Sequence, residues 1–318
     1  MSTPVNLAVR DWDYLTPLLL KEVTSSAVEM NVTRVNTLVE DWFQHPEFDG
    51  GEMSLSRYSQ LKAKGDESLV GVPHFLMRGF RHRCIITRKD SPLTTIEDLA
   101  GKRIGLTGWQ DSGNTWTRAI FRQADVDMKS IHWFVGRLTE QHPITDRLSG
   151  FGVPGWIDNC PDDRPMMDLL AMGELDAVCT PFMPAGFFNE DSAFRSLLPD
   201  YRETEKHYAQ QYGYVPGIHI LVLKKSFVEQ HAGIGRAISN AFTDAYMLWM
   251  DKRTKYADTT PWVLDDIARM HRDLPKSWND QGIAPNKRML EDWCAELFEQ
   301  GILSEPISID TLFNLESW

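Results

Sequence analysis

At 318 residues and 42% hydrophobic, the chain is long enough for a large core and stands where single cores begin to divide, so two lobes are expected. Its 45 acidic against 33 basic residues give a net charge of -12, which excludes a general affinity for nucleic acid or for an anionic membrane surface. The four cysteines, Cys84, Cys160, Cys179 and Cys294, are scattered with no Cys-x-x-Cys, so neither a zinc site nor a disulfide framework is expected, and they read as reduced core or surface residues.

In chain order, the first nine residues carry neither a basic segment nor a long apolar run, so a cytoplasmic location is expected. Charges interrupt every apolar run further on, and no membrane-spanning helix is expected. Period-two patterning predicts strands at 6–9 and 31–35, followed by a short helix at 42–45. Gly51-Glu52-Met53-Ser54 reads as a strand end running into a helix at 55–64. Strands are predicted at 83–87 and 103–106, a helix at 112–123, and a strand at 131–135. The segment 149–164 is turn-rich and the least structured. A helix at 165–172, strands at 177–180 and 218–223, and a helix at 234–253 with apolar residues at helical spacing complete the pattern. Alternating short strands and helices predict an α/β architecture with largely parallel sheets.

The chemistry concentrates in Gly79-Phe80-Arg81-His82-Arg83, two guanidiniums and an imidazole before the apolar run Cys84-Ile85-Ile86. An Arg fork matches a carboxylate bidentately, and a His moves protons near neutral pH. On residue types alone, however, surface ion pairs for Arg81 and Arg83 and simple packing for His82 are the commoner outcome. Strand alternation sends Arg81 and Arg83 to one face and His82 to the other unless a turn intervenes. Glu52 and Ser54 sit at a strand end before a helix, where open α/β sheets bind ligands; the plain alternative is that Ser54 caps the helix and Glu52 is solvated. Trp109 and Gln110 precede the helix at 112–123, whose free amides suit an anion, while Trp116 reads as core and Asp111 or Ser112 as the cap. Asp11 follows the first strand as a ligand-contacting candidate and Asp13 as a turn residue. His219 follows Pro216-Gly217; a lone His there is more often a satisfied core residue. His82, His219 and Glu52 together make a two-His, one-carboxylate set, so a divalent metal stays open although the spacing does not call for one. No Gly-rich phosphate loop, Gly-x-Ser-x-Gly elbow or nucleotide fingerprint is present.

Several stretches together resemble the 4,5-dihydroxyphthalate decarboxylase family. They are Phe48-Asp49-Gly50-Gly51-Glu52-Met53-Ser54, Gly79 to Ile86, the run from Thr94 to Leu106, Leu198-Pro199-Asp200-Tyr201-Arg202-Glu203, and Tyr214-Val215-Pro216-Gly217-Ile218-His219. Asp11-Trp12-Asp13-Tyr14 lacks a basic residue that the family's opening would carry, and Thr107-Gly108-Trp109-Gln110 departs from a Pro-Glu-Tyr-Gln type of segment; both departures bear on the substrate rather than the fold. The resemblance implies a two-lobed type II periplasmic-binding-protein-like fold with a ligand cleft between the lobes. Lobe one is placed at 1–102 plus 213–318 and lobe two at 103–212. The implied activity is decarboxylation of a hydroxylated aromatic acid, 4,5-dihydroxyphthalate giving protocatechuate and carbon dioxide. Arg81 is then expected to bind a carboxylate, His82, His219 and Glu52 to handle the phenol and its proton, and Ser54, Trp109, Gln110 and Asp11 to contact the substrate. No cofactor is expected, the partner is a small aromatic carboxylate, and homo-oligomerisation is left open. The alternative from another class is a non-catalytic solute receptor for an aromatic carboxylate.

Overall fold

The computed structural model describes residues 2–313. Among these, eleven strands follow in chain order: β1 (Thr3–Arg10), β2 (Val28–Val35), β3 (Gly50–Ser54), β4 (Leu69–Arg78), β5 (Ile85–Arg88), β6 (Arg103–Leu106), β7 (His132–Val135), β8 (Ile157–Asn159), β9 (Ala177–Cys179), β10 (Phe194–Ser196) and β11 (Gly217–Lys224). They form two sheets in two compact units. The first unit comprises residues 2–78, 209–294 and 305–313, and the second 79–208 and 295–304.

The first unit holds a five-stranded sheet in the order β2-β1-β3-β11-β4. β1 runs parallel to β2 and β3, while β11 lies antiparallel between β3 and β4. Val5, Leu7 and Val9 alternate along β1 and send one row of side chains into a core shared with Ile238, Ala241, Phe242 and Ala245 of the helix Ile234–Lys255. Gly50 and Gly51 are the residues that let β3 slip between its neighbours. A Cβ on Gly51 would fall 2.0 Å from the Ala8 carbonyl oxygen, and one on Gly50 2.1 Å from that of Val222. The close approach carries the next residue, Glu52, into the middle of the sheet.

The second unit holds a six-stranded sheet in the order β10-β5-β9-β6-β7-β8. β6, β7, β8 and β9 pair in parallel, and β5 runs antiparallel to both β9 and β10. Ile86, Val178, Leu169, Leu170 and Met166 fill the core on one of its faces. Both sheets are therefore mixed rather than largely parallel.

The boundaries expected at 102/103 and 212/213 move upstream. β5 hydrogen-bonds to β9 and β10, so its sheet claims the chain from Gly79 onward. At the return, Glu205 binds the backbone of Arg83 and Tyr208 packs on His82, which keeps most of the helix Tyr201–Tyr212 in the second unit. A late excursion, 295–304, also belongs there, held by Gln300 on Arg118 at 2.7 Å. All four cysteines are free and buried, none at the surface. No helix among the described residues is long and apolar enough to cross a membrane.

Candidate active site

In the first unit, β1, β3 and β11 bring three distant residues onto one carboxylate. Glu52 is fully buried, and its Oε2 accepts the Arg10 backbone N–H and the Trp12 indole N–H, both at 2.9 Å. Its Oε1 accepts from His219 Nδ1 at 2.6 Å. With two donors already on the other oxygen, the carboxylate fixes the hydrogen of His219 on Nδ1 and leaves Nε2 as the basic nitrogen. That is the geometry of an oriented general base. His219 stands opposite Ser54 in the β11–β3 register. Ser54 occupies the N-cap position of the helix Leu55–Ala63, but its side chain makes no capping bond there.

In the second unit, a single 3-10 turn, His82–Cys84, replaces the strand start expected at 83 and breaks the alternation of Arg81, His82 and Arg83. Arg81 is only 3% exposed. Its Nε donates to Thr117 Oγ1 at 3.3 Å, and that hydroxyl donates in turn to the Gly113 carbonyl at 2.9 Å. The guanidinium lies against the first turn of the helix Ser112–Gln123, so closely that a Cβ on Gly113 would sit 2.8 Å from Arg81 Nη2. Among the described residues no carboxylate lies within ion-pairing distance of it. A buried guanidinium with no ion-paired carboxylate among the described residues, pressed on the positive end of a helix, is unfavourable on its own and becomes favourable when an anion joins both.

His82 is also buried, with its ring 5.3 Å from that of Tyr208 and its Nδ1 lacking any hydrogen-bond partner among the described residues. Burial pulls its pKa down to about 4, so at neutral pH it is a neutral imidazole rather than a cation. Glu205 Oε1 accepts the Arg83 N–H at 3.1 Å and so anchors the turn. Burial raises its pKa to about 7, against the opposing influence of Arg83, Arg202 and Arg81.

Three of the expected residues do not join these clusters. Trp109 is a core residue: the Arg118 guanidinium covers its ring at 3.9 Å, and Trp133 and Trp156 meet it edge-on, each at 5.8 Å. Asp11 is exposed and pairs with Arg34 at 2.9 Å, because β1 ends with that side chain pointing to solvent beside β2. Gln110 is half-buried in the turn before the helix and makes no hydrogen bond with another described residue. Sequence reading missed Trp12, Thr117, Glu205 and Arg118. Arg118 is fully buried and bonds Gln300 and the Trp109 carbonyl, each at 2.7 Å, while burial takes its pKa to about 9. Its one sequence signal is a charge inside the apolar stripe of Trp116, Ala119 and Ile120.

Among the described residues no three His, Cys, Asp or Glu side chains stand where they could hold a metal ion. Burial pushes the thiols of Cys160, Cys179 and Cys294 up to about 12, which removes them as thiolate nucleophiles.

Paired mixed sheets with this strand order define a periplasmic-binding-protein-like fold. Solved structures agree: the aliphatic sulphonate binding protein SsuA of Escherichia coli superposes with a TM-score of 0.58 at 13% identity, covering 98% of this chain and 92% of that one. The desulfurization enzyme DszB, as a mutant with biphenyl-2-sulfinic acid, gives 0.55 at 14% identity over 100% and 98%. At such identities the likeness concerns the fold alone. A family model described as NMT1/THI5 like matches residues 61–147. A 4,5-dihydroxyphthalate decarboxylase of Comamonas testosteroni is 26% identical over 98% of this chain and 96% of its own length. One of Pseudomonas putida is 35% identical over 46% of this chain and 57% of its own. The chain is thus similar to 4,5-dihydroxyphthalate decarboxylases over nearly its whole length.

Proposed function

We propose that the protein is a carboxy-lyase acting on a hydroxylated aromatic acid, with 4,5-dihydroxyphthalate to protocatechuate and carbon dioxide as the reaction indicated by its relatives' names. The observation that carries this reading is Arg81, a buried guanidinium with no carboxylate beside it among the described residues. An aromatic carboxylate supplies the missing counter-charge, and the amides of the helix after Asp111 share it.

In the reaction, a proton adds to the ring carbon that bears the leaving carboxylate. The carbon–carboxylate bond then breaks, its electron pair returns to the ring, and carbon dioxide departs. Each carboxylate of 4,5-dihydroxyphthalate has a hydroxyl para to it, whose electrons stabilise the protonated ring. His219, oriented by Glu52, takes the phenolic proton at Nε2 and strengthens that donation. His82 holds a phenolic oxygen on its open Nδ1. Arg81 binds the carboxylate that stays.

Steady-state kinetics with 4,5-dihydroxyphthalate test the assignment. Arg81→Lys keeps the charge and loses the fork, so KM is expected to rise with little change in melting temperature. A folded Arg81→Lys enzyme with unchanged KM refutes the clamp. Ligand that binds and returns unchanged after prolonged incubation makes the protein a solute receptor.

A further inference from the structure

A cavity of about 380 Å³ lies in the first unit, and none of its lining residues comes from the second. Its volume falls at the small end of ligand sites, which span roughly 300–1,000 Å³ and suit compact molecules at that end. The walls are aromatic. Tyr14, Tyr246, Trp249 and Trp278 contribute rings that meet one another at 5.6 to 6.5 Å, mostly edge to face, so faces and edges are both turned to the space they surround. Met77, Met250 and Met270 complete the apolar lining with side chains that adapt to a guest's outline.

The charges in that lining choose between guests. They are two guanidiniums, Arg78 and Arg253, against one carboxylate, Asp266. His74, also in the wall, is held neutral by burial, its pKa pulled down to about 3. Arg78 gives its hydrogen bonds to neutral acceptors, the carbonyls of Val215 and Asp280 and the Asn286 amide, and its Nε has no partner among the described residues. Arg253 stacks on Trp249 at 4.6 Å and reaches the Asp13 carboxylate only at 3.7 Å, half-exposed. Asp13, paired with Arg253, and Asp280, whose charge acts on Arg78, offset these guanidiniums in part, but both still turn donors toward an aromatic cavity, which suits an anion with a flat apolar body.

We propose that this cavity is a second binding site, for a planar aromatic carboxylate of one or two rings. The ring packs against Trp249 and Tyr246, and the carboxylate lies on Arg253 in the field of Arg78. Trp12 lines the same cavity and donates its indole N–H to Glu52, so a guest pressed on that wall acts on the residue that orients His219. The site is independent of Arg81, and the proposal does not rest on the decarboxylase reading.

Isothermal titration calorimetry of the full chain with 1-naphthoate, and with naphthalene-1-carboxamide as the neutral isostere, tests it. Saturable binding of naphthoate is expected, at least tenfold tighter than the carboxamide. Trp249→Ala and Arg253→Gln should each weaken naphthoate at least tenfold, while Arg81→Met changes that affinity less than twofold. Trp249→Phe, which keeps an aromatic wall, should retain most of the binding and shows that the loss in Trp249→Ala is not a folding failure. No saturable binding, equal affinity for the carboxamide, or binding abolished by Arg81→Met yet intact in both cavity variants overturns the proposal. Failure of turnover on 4,5-dihydroxyphthalate would leave these titrations unaffected, so the two readings fail separately.

Discussion

Replacing Arg81 by methionine separates a ligand clamp from a structural ion pair by the sign of a stability change. The guanidinium is 3% exposed, makes one side-chain hydrogen bond among the described residues, to Thr117, and stands on the positive end of the helix Ser112–Gln123. Burying such a charge costs several kcal/mol even after relaxation. The Thr117 bond returns about 1 kcal/mol, and the helix end subtracts a few tenths to 1 kcal/mol more. Arg81→Met fills nearly the same volume without the charge, so the free protein is expected to gain about 1–4 kcal/mol. The same variant should lose the stabilisation that comes from the Arg81 site. 4,5-Dihydroxyphthalate at a hundredfold its Kd for that site stabilises wild type by about 2.7 kcal/mol through it, and that increment should vanish. Urea denaturation with and without ligand measures both. If Arg81→Met loses about 3–5 kcal/mol instead, as expected on breaking a buried pair, the guanidinium has a partner and the reasoning is refuted.

The other predictions concern the groups around these clusters. Glu52→Gln keeps shape but turns an amide toward at least one of the three donors that Glu52 accepts, so a loss of about 2–5 kcal/mol is expected in chemical denaturation, together with a fall in kcat; a neutral outcome would show that His219 is oriented otherwise. Glu205 titrates at about 7 in the folded protein against 4.5 as its ordinary value, so the folded state favours its protonated form, and wild type loses stability as pH rises from the lower value through the upper one. The shift corresponds to about 3 kcal/mol, so Glu205→Gln should match wild type near pH 5 and exceed it by about that amount at pH 8; an equal difference at both pH values contradicts the shift. Gly113→Ala puts a methyl 2.8 Å from Arg81 Nη2, and it should raise KM for 4,5-dihydroxyphthalate while costing about 1–3 kcal/mol of stability, whereas an unchanged KM places that substrate elsewhere.

The α/β pattern was legible because many strands are short apolar runs, continuous in β11 and with alternate residues packed inward in β1 at Val5, Leu7 and Val9. Other elements gave weaker signals. β8 and β10 have three residues each, and β4 carries Pro73 in a run that reads ambiguously until its place at the sheet edge is known. The helix Tyr201–Tyr212 is polar nearly throughout, because Glu205, Tyr208 and Ala209 supply its buried face. The helix Lys287–Glu299, by contrast, shows its period in Met289, Leu290, Trp293 and Leu297 and was open to reading. Within the candidate site, Arg81 and His82 announced themselves by residue type in one short segment. The Glu52–His219 contact joins residues 167 positions apart, and no linear spacing encodes it. Trp109 looked like a ligand platform because nothing in its neighbourhood reveals that Arg118, nine residues on, takes its ring face.

The central claim is carbon–carbon bond cleavage with proton replacement at the ring, and turnover of 4,5-dihydroxyphthalate in deuterated water tests it directly. Carbon dioxide and protocatechuate are expected in equal amounts, the latter with one deuterium at the carbon that lost its carboxylate, and no product is expected from Arg81→Met at the same substrate concentration. Recovery of unchanged 4,5-dihydroxyphthalate from protein that demonstrably binds it would contradict the account.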